Sequence, residues 1–186
     1  MNILIDDLPT DYQGYLFNYS FRSGILISEC LSDESISQPS RILASLYILF
    51  GKGVPPFELA MQGLRWFLNC GELPENSTVK EEKVFSFVED RNMIFSAFMV
   101  KYGINLNQSN LHWFEFISLF NDLEKTAFRR VVDLRSLKTK DLKNFSKDQR
   151  IEIIKLKNKF SLEKNNSLTS EQLKAIEHFN KLIGEN

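Results

Sequence analysis

Apolar side chains recur every three or four residues along most of the chain, which is the spacing of one face of an α-helix. Pro39 and Pro55 stand where such stretches begin, and Gly51 and Gly103 stand where they end. Gly24 lies inside the first stretch and weakens it as a helix. The pattern predicts consecutive amphipathic helices that share one core. Their apolar positions span residues 21–31, 43–50, 57–68, 87–102, 111–120 and 128–135.

A short stretch near the N-terminus follows a different period. Aromatic residues alternate with other side chains over positions 15–19, directly after Gly14, and this predicts a short strand. Its candidate partner begins at Val79 or within residues 83–87, and such a pair would be marginal on its own. The predicted fold is mainly α: a compact helical domain with at most a short N-terminal β element, plus C-terminal helices.

The C-terminal part has its own helix signals. Ser–Gln and Thr–Gln pairs at residues 146–149 and 169–172 have the capping-box spacing that marks a helix start. We expect residues 1–136 to form an acidic, aromatic-rich helical core domain. Residues 137–186 are expected to form a basic, amphipathic C-terminal helical extension.

The composition fits a globular helical protein, with 43% apolar and 25% charged residues. There are 16 Phe against 8 Gly and 5 Pro, too few turn residues for a many-stranded sandwich. The acidic start lacks the basic region of a secretory signal, and the longest apolar run, residues 42–50, is about half of a membrane span. We therefore expect a cytoplasmic protein without a membrane partner, in which Cys30 and Cys70 are buried free thiols.

Charge is divided unevenly along the chain. Residues 1–124 hold 8 basic and 16 acidic side chains, whereas residues 125–164 hold 13 basic and 5 acidic ones. Apolar residues interleave with the basic ones, which describes an amphipathic helix, and the overall pI near 6.2 is low for a nucleic-acid binder. Three interpretations stay open for the basic segment: solvated or internally paired side chains, an acidic protein partner, or nucleic acid.

The residues that carry chemistry in other proteins are scattered in this one. A zinc site needs four clustered ligands, whereas Cys30, Cys70, His112 and His178 each stand alone. His112 stands at the head of an apolar helix and is interpreted as a packed side chain rather than as the base of a Cys–His pair. The adjacent carboxylates at 89–90 suit a helix N-terminus better than an acid/base couple. We predict no catalytic residue, no metal site and no cofactor, so the protein is not expected to be an enzyme.

Three stretches in a fixed order carry a resemblance to a known family. They are Lys-Val-Phe-Ser-Phe-Val-Glu-Asp at 83–90, Ile-Phe-Ser-Ala-Phe at 94–98 running into Tyr-Gly-Ile-Asn-Leu at 102–106, and Leu-His-Trp-Phe-Glu-Phe at 111–116. Together they resemble the bacteriophage gene-product-fifteen family of siphophages and prophages of Gram-positive bacteria. The resemblance covers residues 1–136 well and 137–160 loosely. The chain departs from it at Phe114, where relatives often have a second Trp, and at Val88, where an acidic residue is expected.

The resemblance implies a role in the assembly of long non-contractile tails. Genes of this family typically lie between those of the major tail protein and the tape-measure protein, where tail assembly chaperones are encoded. The implied partner is the tape-measure protein; the major tail protein and self-association remain open, and the implied location is the cytoplasm of the bacterial host. The resemblance implies no active site, because none is known for this family. The alternatives are a nucleic-acid-binding phage regulator acting through residues 125–164 and a minor structural tail component.

A chaperone of this kind needs apolar grooves between helices, and the Phe-rich helices supply the candidates. For the aromatic residues chosen, core packing is the competing interpretation. The residues predicted to contact the partner are Phe87, Trp113, Phe114, Phe116, Arg129 and Arg130.

Overall fold

The computed structural model describes residues 2–72, 83–138, 141–142 and 145–162. In this part of the chain there are seven α-helices and one two-stranded antiparallel sheet, so the predicted fold, mainly α with a short N-terminal β element, is confirmed. The elements in chain order are β1 (Asp11–Tyr12), β2 (Tyr15–Leu16), α1 (Phe21–Ser32), α2 (Gln38–Phe50), α3 (Phe57–Leu68), α4 (Arg91–Tyr102), α5 (Trp113–Asn121), α6 (Ala127–Ser136) and α7 (Lys147–Lys159).

The chain divides into two compact units between Arg130 and Val131. The domain boundary expected after residue 136 stays a prediction. None of the described helices combines the length and the apolar character that crossing a membrane requires.

The N-terminal strands form a local hairpin, in which Tyr12 pairs with Tyr15. Its two turn residues, Gln13 and Gly14, have φ angles of 51° and 86°, the signs required by a type I′ turn. The Asp11 carboxylate steadies the turn by accepting the Gly14 N–H at 2.9 Å. The predicted partner within residues 83–87 was wrong, since this stretch contains no strand, and Val79 lies outside the described residues. Strand β2 pairs with β1, only two residues before it in the chain, because closing so short a loop loses little chain entropy.

The helix ends follow the local signals in the sequence. Ser20 and Ser37 cap α1 and α2 through their side-chain oxygens, and Pro39 lies in the first turn of α2. Gly51 and Gly103 follow the last residues of α2 and α4 with positive φ angles of 60° and 66°, which glycine adopts without a steric penalty. The boundaries predicted at Pro39, Gly51 and Gly103 are confirmed, whereas the caps at Ser20 and Ser37 were not predicted.

Helix α4 begins later than the apolar period suggests. The stretch predicted from Phe87 becomes helical only at Arg91, because Ser86 and Asp90 close a turn first. The buried Asp90 carboxylate accepts the Ser86 N–H at 3.0 Å, and the Asp90 N–H donates to the Ser86 carbonyl at 2.9 Å. Asp90 is the N-cap residue of α4, and Glu89 precedes it, so both carboxylates lie at the helix N-terminus as expected.

Helix α5 lies at the centre of the first unit's core. Its aromatic side chains Trp113, Phe114, Phe116 and Phe120 are all buried. The Phe116 ring is fully buried and stacks on Phe98, with centroids 5.1 Å apart and 4° between the ring planes. The rings of Phe21 in α1 and of Trp113 also stack on Phe116, with centroid distances of 5.1 Å and 5.8 Å. A stack of aromatic rings thus joins α1, α4 and α5.

Close approach of α1 to α5 depends on Gly24. A Cβ atom placed on Gly24 would lie 2.1 Å from Cε3 of the Trp113 ring. Glycine therefore has a packing role here that outweighs its low helix propensity.

The second unit contains α7, whose start has the predicted capping box. The Gln149 N–H donates to the Ser146 hydroxyl at 3.3 Å, and the Ser146 N–H donates to the Gln149 side chain at 2.9 Å. Arg135 donates to the Phe160 carbonyl at 2.7 Å, and the Lys157 ammonium donates to the Leu137 carbonyl. The second predicted capping box, at residues 169–172, lies outside the described residues.

Candidate functional site

An apolar groove of about 440 Å³ opens in the first unit between α1 and α4. We call it the α1–α4 groove. Half-buried apolar side chains line it, among them Phe87 and Phe95, while Ile94 and Phe116 belong to the buried core beneath. Its polar members are one guanidinium and two amides. The lining residues are Ile25, Phe87, Arg91, Asn92, Ile94, Phe95, Leu106, Asn107 and Phe116.

Helix α1 holds one edge of this groove through Glu29. The Glu29 carboxylate accepts the Phe87 N–H at 3.0 Å, which fixes the turn that carries Phe87. The Phe87 ring then packs against Phe120 at 5.4 Å and Phe116 at 6.1 Å between centroids. Backbone and ring are thus both anchored, while part of the ring stays accessible.

Helix α1 holds a second edge of the groove, the loop after α4, through Arg22. Its guanidinium donates to the carbonyls of Leu106, Asn107 and Ser109 at 2.9, 3.2 and 3.1 Å. A planar guanidinium can donate several hydrogen bonds in a fixed geometry, so one side chain orders the whole loop after α4. The groove therefore exists before any partner arrives.

The far end of α4 is fixed to the end of α5. The Lys101 ammonium lies 2.8 Å from the Asp122 carboxylate, and the Tyr102 hydroxyl donates to the Leu119 carbonyl at 2.9 Å. The pKa of Lys101 is raised, first by its hydrogen bond to Asp122, and the pKa of Asp122 is lowered for the same reason. Both groups are exposed, so this pair orients α4 more than it stabilises the fold.

The predicted contact residues occupy different environments. Trp113, Phe114 and Phe116 are 3%, 1% and 0% exposed, so in this arrangement their rings contact one another and the rest of the core. Phe87 is half-buried and lines the α1–α4 groove, and Phe116 forms part of its floor. The partner-binding role of all six residues stays a prediction.

The two predicted arginines do not line the α1–α4 groove. Arg129 and Arg130 are both exposed, and Arg130 lines a second groove on another side of α4. Phe87 and Phe116 therefore line the same groove, whereas Arg129 and Arg130 do not belong to its lining.

Phe95, Arg22 and Glu29 were not predicted as site residues. Phe95 lies one residue after Ile94, so it lies outside the buried stripe of α4 that contains Ile94 and Phe98. An apolar side chain outside the buried stripe of an amphipathic helix was the signal that could have identified Phe95 as a groove residue. The contacts of Arg22 and Glu29 join residues 58 to 87 positions apart, and no local pattern encodes them.

His112 is a packed side chain, as predicted. It is 4% exposed and caps α5: the Phe114 N–H donates to its Nδ1 at 3.0 Å, and its Nε2 lies 2.9 Å from the Pro9 carbonyl. Its ring also stacks on Tyr19 at 5.5 Å. Because the Phe114 N–H needs a lone pair on Nδ1, this geometry requires a neutral ring with its proton on Nε2.

We expect acid to destabilise the fold through His112. Burial lowers its pKa below the ordinary 6.5, although the Pro9 carbonyl and Glu115 act in the opposite direction. The unfolded chain therefore binds the proton more readily, and the free energy of unfolding should fall as pH drops below about 6.5 towards the lowered value. Urea titrations at several pH values between 7.5 and 5.5 measure this dependence.

The matched variant is His112→Asn, because asparagine caps helices well and does not titrate. Its free energy of unfolding should be lower than that of the unmodified chain at neutral pH, where the ring's packing is lost. The gap between the two proteins should narrow as pH falls. A gap that stays constant across this range would show that His112 does not titrate with folding.

The two cysteines are half-buried rather than fully buried. Burial, assisted by Glu72, raises the pKa of the Cys70 thiol to about 11, so little thiolate exists at neutral pH. Within the described ranges, no three His, Cys, Asp or Glu side chains form a group that could hold a metal ion. What the site offers chemically is apolar contact surface.

Comparison with known proteins gives one family. The family model described as Bacteriophage Gp15 protein matches residues 4–162 of the chain. No curated protein and no solved structure gives a significant match. Since the match covers most of the chain, including every element that forms the α1–α4 groove, the chain belongs to the Bacteriophage Gp15 protein family.

Proposed function

We propose that this phage protein is a tail assembly chaperone or adaptor that binds an amphipathic helical segment of the tape-measure protein, and that it catalyses no reaction. The observation that carries the proposal is the α1–α4 groove, in which Phe87 and Phe95 offer half-buried aromatic surface. The family resemblance supplies the partner, because relatives are encoded next to the tape-measure protein.

The groove has the chemistry of helix-in-groove recognition. An amphipathic helix presents apolar side chains at positions i, i+3 or i+4, and i+7, and these insert between the helices of the receptor. Aromatic side chains in a partly desolvated pocket contribute most to such contacts. Arg91, Asn92 and Asn107 provide the polar margin that a protein interface usually has.

Preorganisation favours binding to this groove. Arg22 and Glu29 already hold its two edges, so little of the binding free energy is lost in ordering them. A chain that binds the folded chaperone is withdrawn from aggregation by mass action. Such a protein would act in the cytoplasm of the bacterial host, before the tail tube closes around the tape measure. The major tail protein would join afterwards, and self-association is compatible with this role.

Co-expression with the tape-measure protein tests the proposal. The chain should raise the soluble fraction of that protein, measured by centrifugation and quantitative blotting. Phe95→Glu, which replaces an aromatic ring of the groove by a charged side chain, should abolish most of this effect because the apolar contact surface is lost and a carboxylate is poorly accommodated against the partner's apolar face.

The matched control is Leu43→Glu. Leu43 lies on α2, outside the groove lining, and is 61% exposed, so the same charge should leave the solubilising effect unchanged. Equal loss in both variants, or no effect of the unmodified chain, would contradict the proposal. Finding the protein in purified particles by mass spectrometry would favour a structural tail component instead.

A further inference from the structure

A second groove, of about 390 Å³, lies between α4 and the start of α6 within the first unit. We call it the α4–α6 groove. From α4 it receives Met93, Ala97 and Val100, which recur at helical spacing. Its complete lining is Asn92, Met93, Ser96, Ala97, Val100, Lys125, Thr126, Ala127 and Arg130.

Helix α4 exposes apolar side chains at this groove although another of its faces packs in the core. Ile94 and Phe98 are buried, yet Val100 is 82% exposed at the groove and the adjacent Met99 is 41% exposed. A helix with one buried face normally presents polar residues on the other. An enclosed small-molecule site would bury its lining. Val100 is too accessible for that, so the groove suits the face of a larger partner.

The charges at this groove are positive. Lys125 and Arg130 are exposed, and no carboxylate belongs to the groove lining as the structure describes it. Helix α6 begins here at Ala127, and the partial positive charge of a helix N-terminus adds to the two cations. The contrast with the rest of the unit is large, because residues 1–124 hold 16 acidic and 8 basic side chains.

We propose that the α4–α6 groove is a second docking site, and that its partner is an acidic amphipathic helix. The partner's apolar face would cover Val100 and Met93, and its carboxylates would lie beside Lys125 and Arg130. Charge complementarity selects this partner over a basic helix. The apolar wall selects it over nucleic acid, whose phosphates gain nothing from Val100 and Met93. This site does not depend on the function proposed for the α1–α4 groove.

Binding of two matched peptides to the full chain tests this site. Both are fluorescein-labelled helical peptides with leucine at positions i, i+3 and i+7; one has glutamates flanking the leucines and the other has lysines. Fluorescence anisotropy should show about tenfold tighter binding of the glutamate peptide, as expected for two exposed charge pairs. Raising the salt concentration should weaken that preference.

Variants then assign the binding to this groove. The double variant Lys125→Glu and Arg130→Glu should reverse the preference, so that the lysine peptide binds more tightly. Val100→Glu should weaken binding of the glutamate peptide by about tenfold or more, since its carboxylate replaces the apolar contact, repels the peptide's glutamates and competes with them for Lys125 and Arg130. Phe95→Glu, in the other groove, should leave its affinity within about twofold.

Equal affinities for the two peptides would overturn the proposal, and so would a preference that survives the double charge reversal. Displacement of the glutamate peptide by a short DNA duplex that binds more tightly would also overturn it and assign the surface to nucleic acid. Circular dichroism checks that each of these variants is folded. A reversed preference in the folded double variant would establish this site independently of the result of co-expression with the tape-measure protein.

Discussion

Phe116→Ala is expected to lower the free energy of unfolding by about 3–5 kcal/mol, the range for truncating a fully buried phenylalanine. The Phe116 ring is 0% exposed and contacts rings from α1, α4 and α5, including Phe21 and Phe98 at 5.1 Å each. Its removal leaves a cavity where these helices meet, and the rigid aromatic neighbours cannot collapse into it. Urea denaturation followed by tryptophan fluorescence measures the change.

The control for this prediction is Phe57→Ala. Phe57 is also a helical phenylalanine, but it is 55% exposed at the start of α3, so its truncation should cost less than about 1 kcal/mol. Phe116→Leu should lie between the two. If Phe116→Ala cost no more than Phe57→Ala, the aromatic stack would not be the centre of the core.

Gly24→Ala is expected to lower the free energy of unfolding by about 2–3 kcal/mol, in the upper part of the range for overpacking. In an ordinary helix the same change is stabilising by about 0.5–1 kcal/mol, so even its sign is informative. The new methyl group would meet the Trp113 ring at 2.1 Å, and that ring is itself only 3% exposed. Either α1 or the indole must move. The midpoint of urea denaturation gives the change.

Two further variants isolate that cause. Gly53→Ala introduces the same methyl group where the nearest atom is 3.7 Å away, so its effect should stay within about 0.5 kcal/mol. Trp113→Leu removes the ring that the methyl group meets, so Gly24→Ala should be less harmful in that background. A destabilisation that is unchanged in the Trp113→Leu background would place its origin elsewhere.

The helices could be predicted because their signals are local. The three- and four-residue apolar spacing, Pro39 in a first turn and Gly103 after a last turn each act within one or two turns of the chain. The Ser146–Gln149 capping box is another such signal. The packed state of His112 was predicted from its position at the head of an apolar helix, whereas its role as the cap of α5 was not predicted.

The rest of the fold depends on contacts that local patterns do not encode. The hairpin partner was missed because Gln13 is an uncommon residue for a turn position with positive φ. From the sequence alone, Gly24 only weakens α1. Its packing role depends on contact with Trp113, which lies 89 positions later in the sequence. The partner-binding role of the chosen aromatic residues stays a prediction, and periodicity alone does not separate the buried Phe114 from the half-buried Phe95.

Photo-crosslinking tests most directly whether the α1–α4 groove holds the tape-measure protein. Benzoylphenylalanine is incorporated at position 95 in the groove or at position 43 on α2, and each protein is irradiated after co-expression with the tape-measure protein. Position 95 should give a covalent adduct whose cross-linked peptide lies in an amphipathic helical segment of that protein, and position 43 should give little. Absence of an adduct from position 95, or equal adducts from both positions, would contradict binding in this groove.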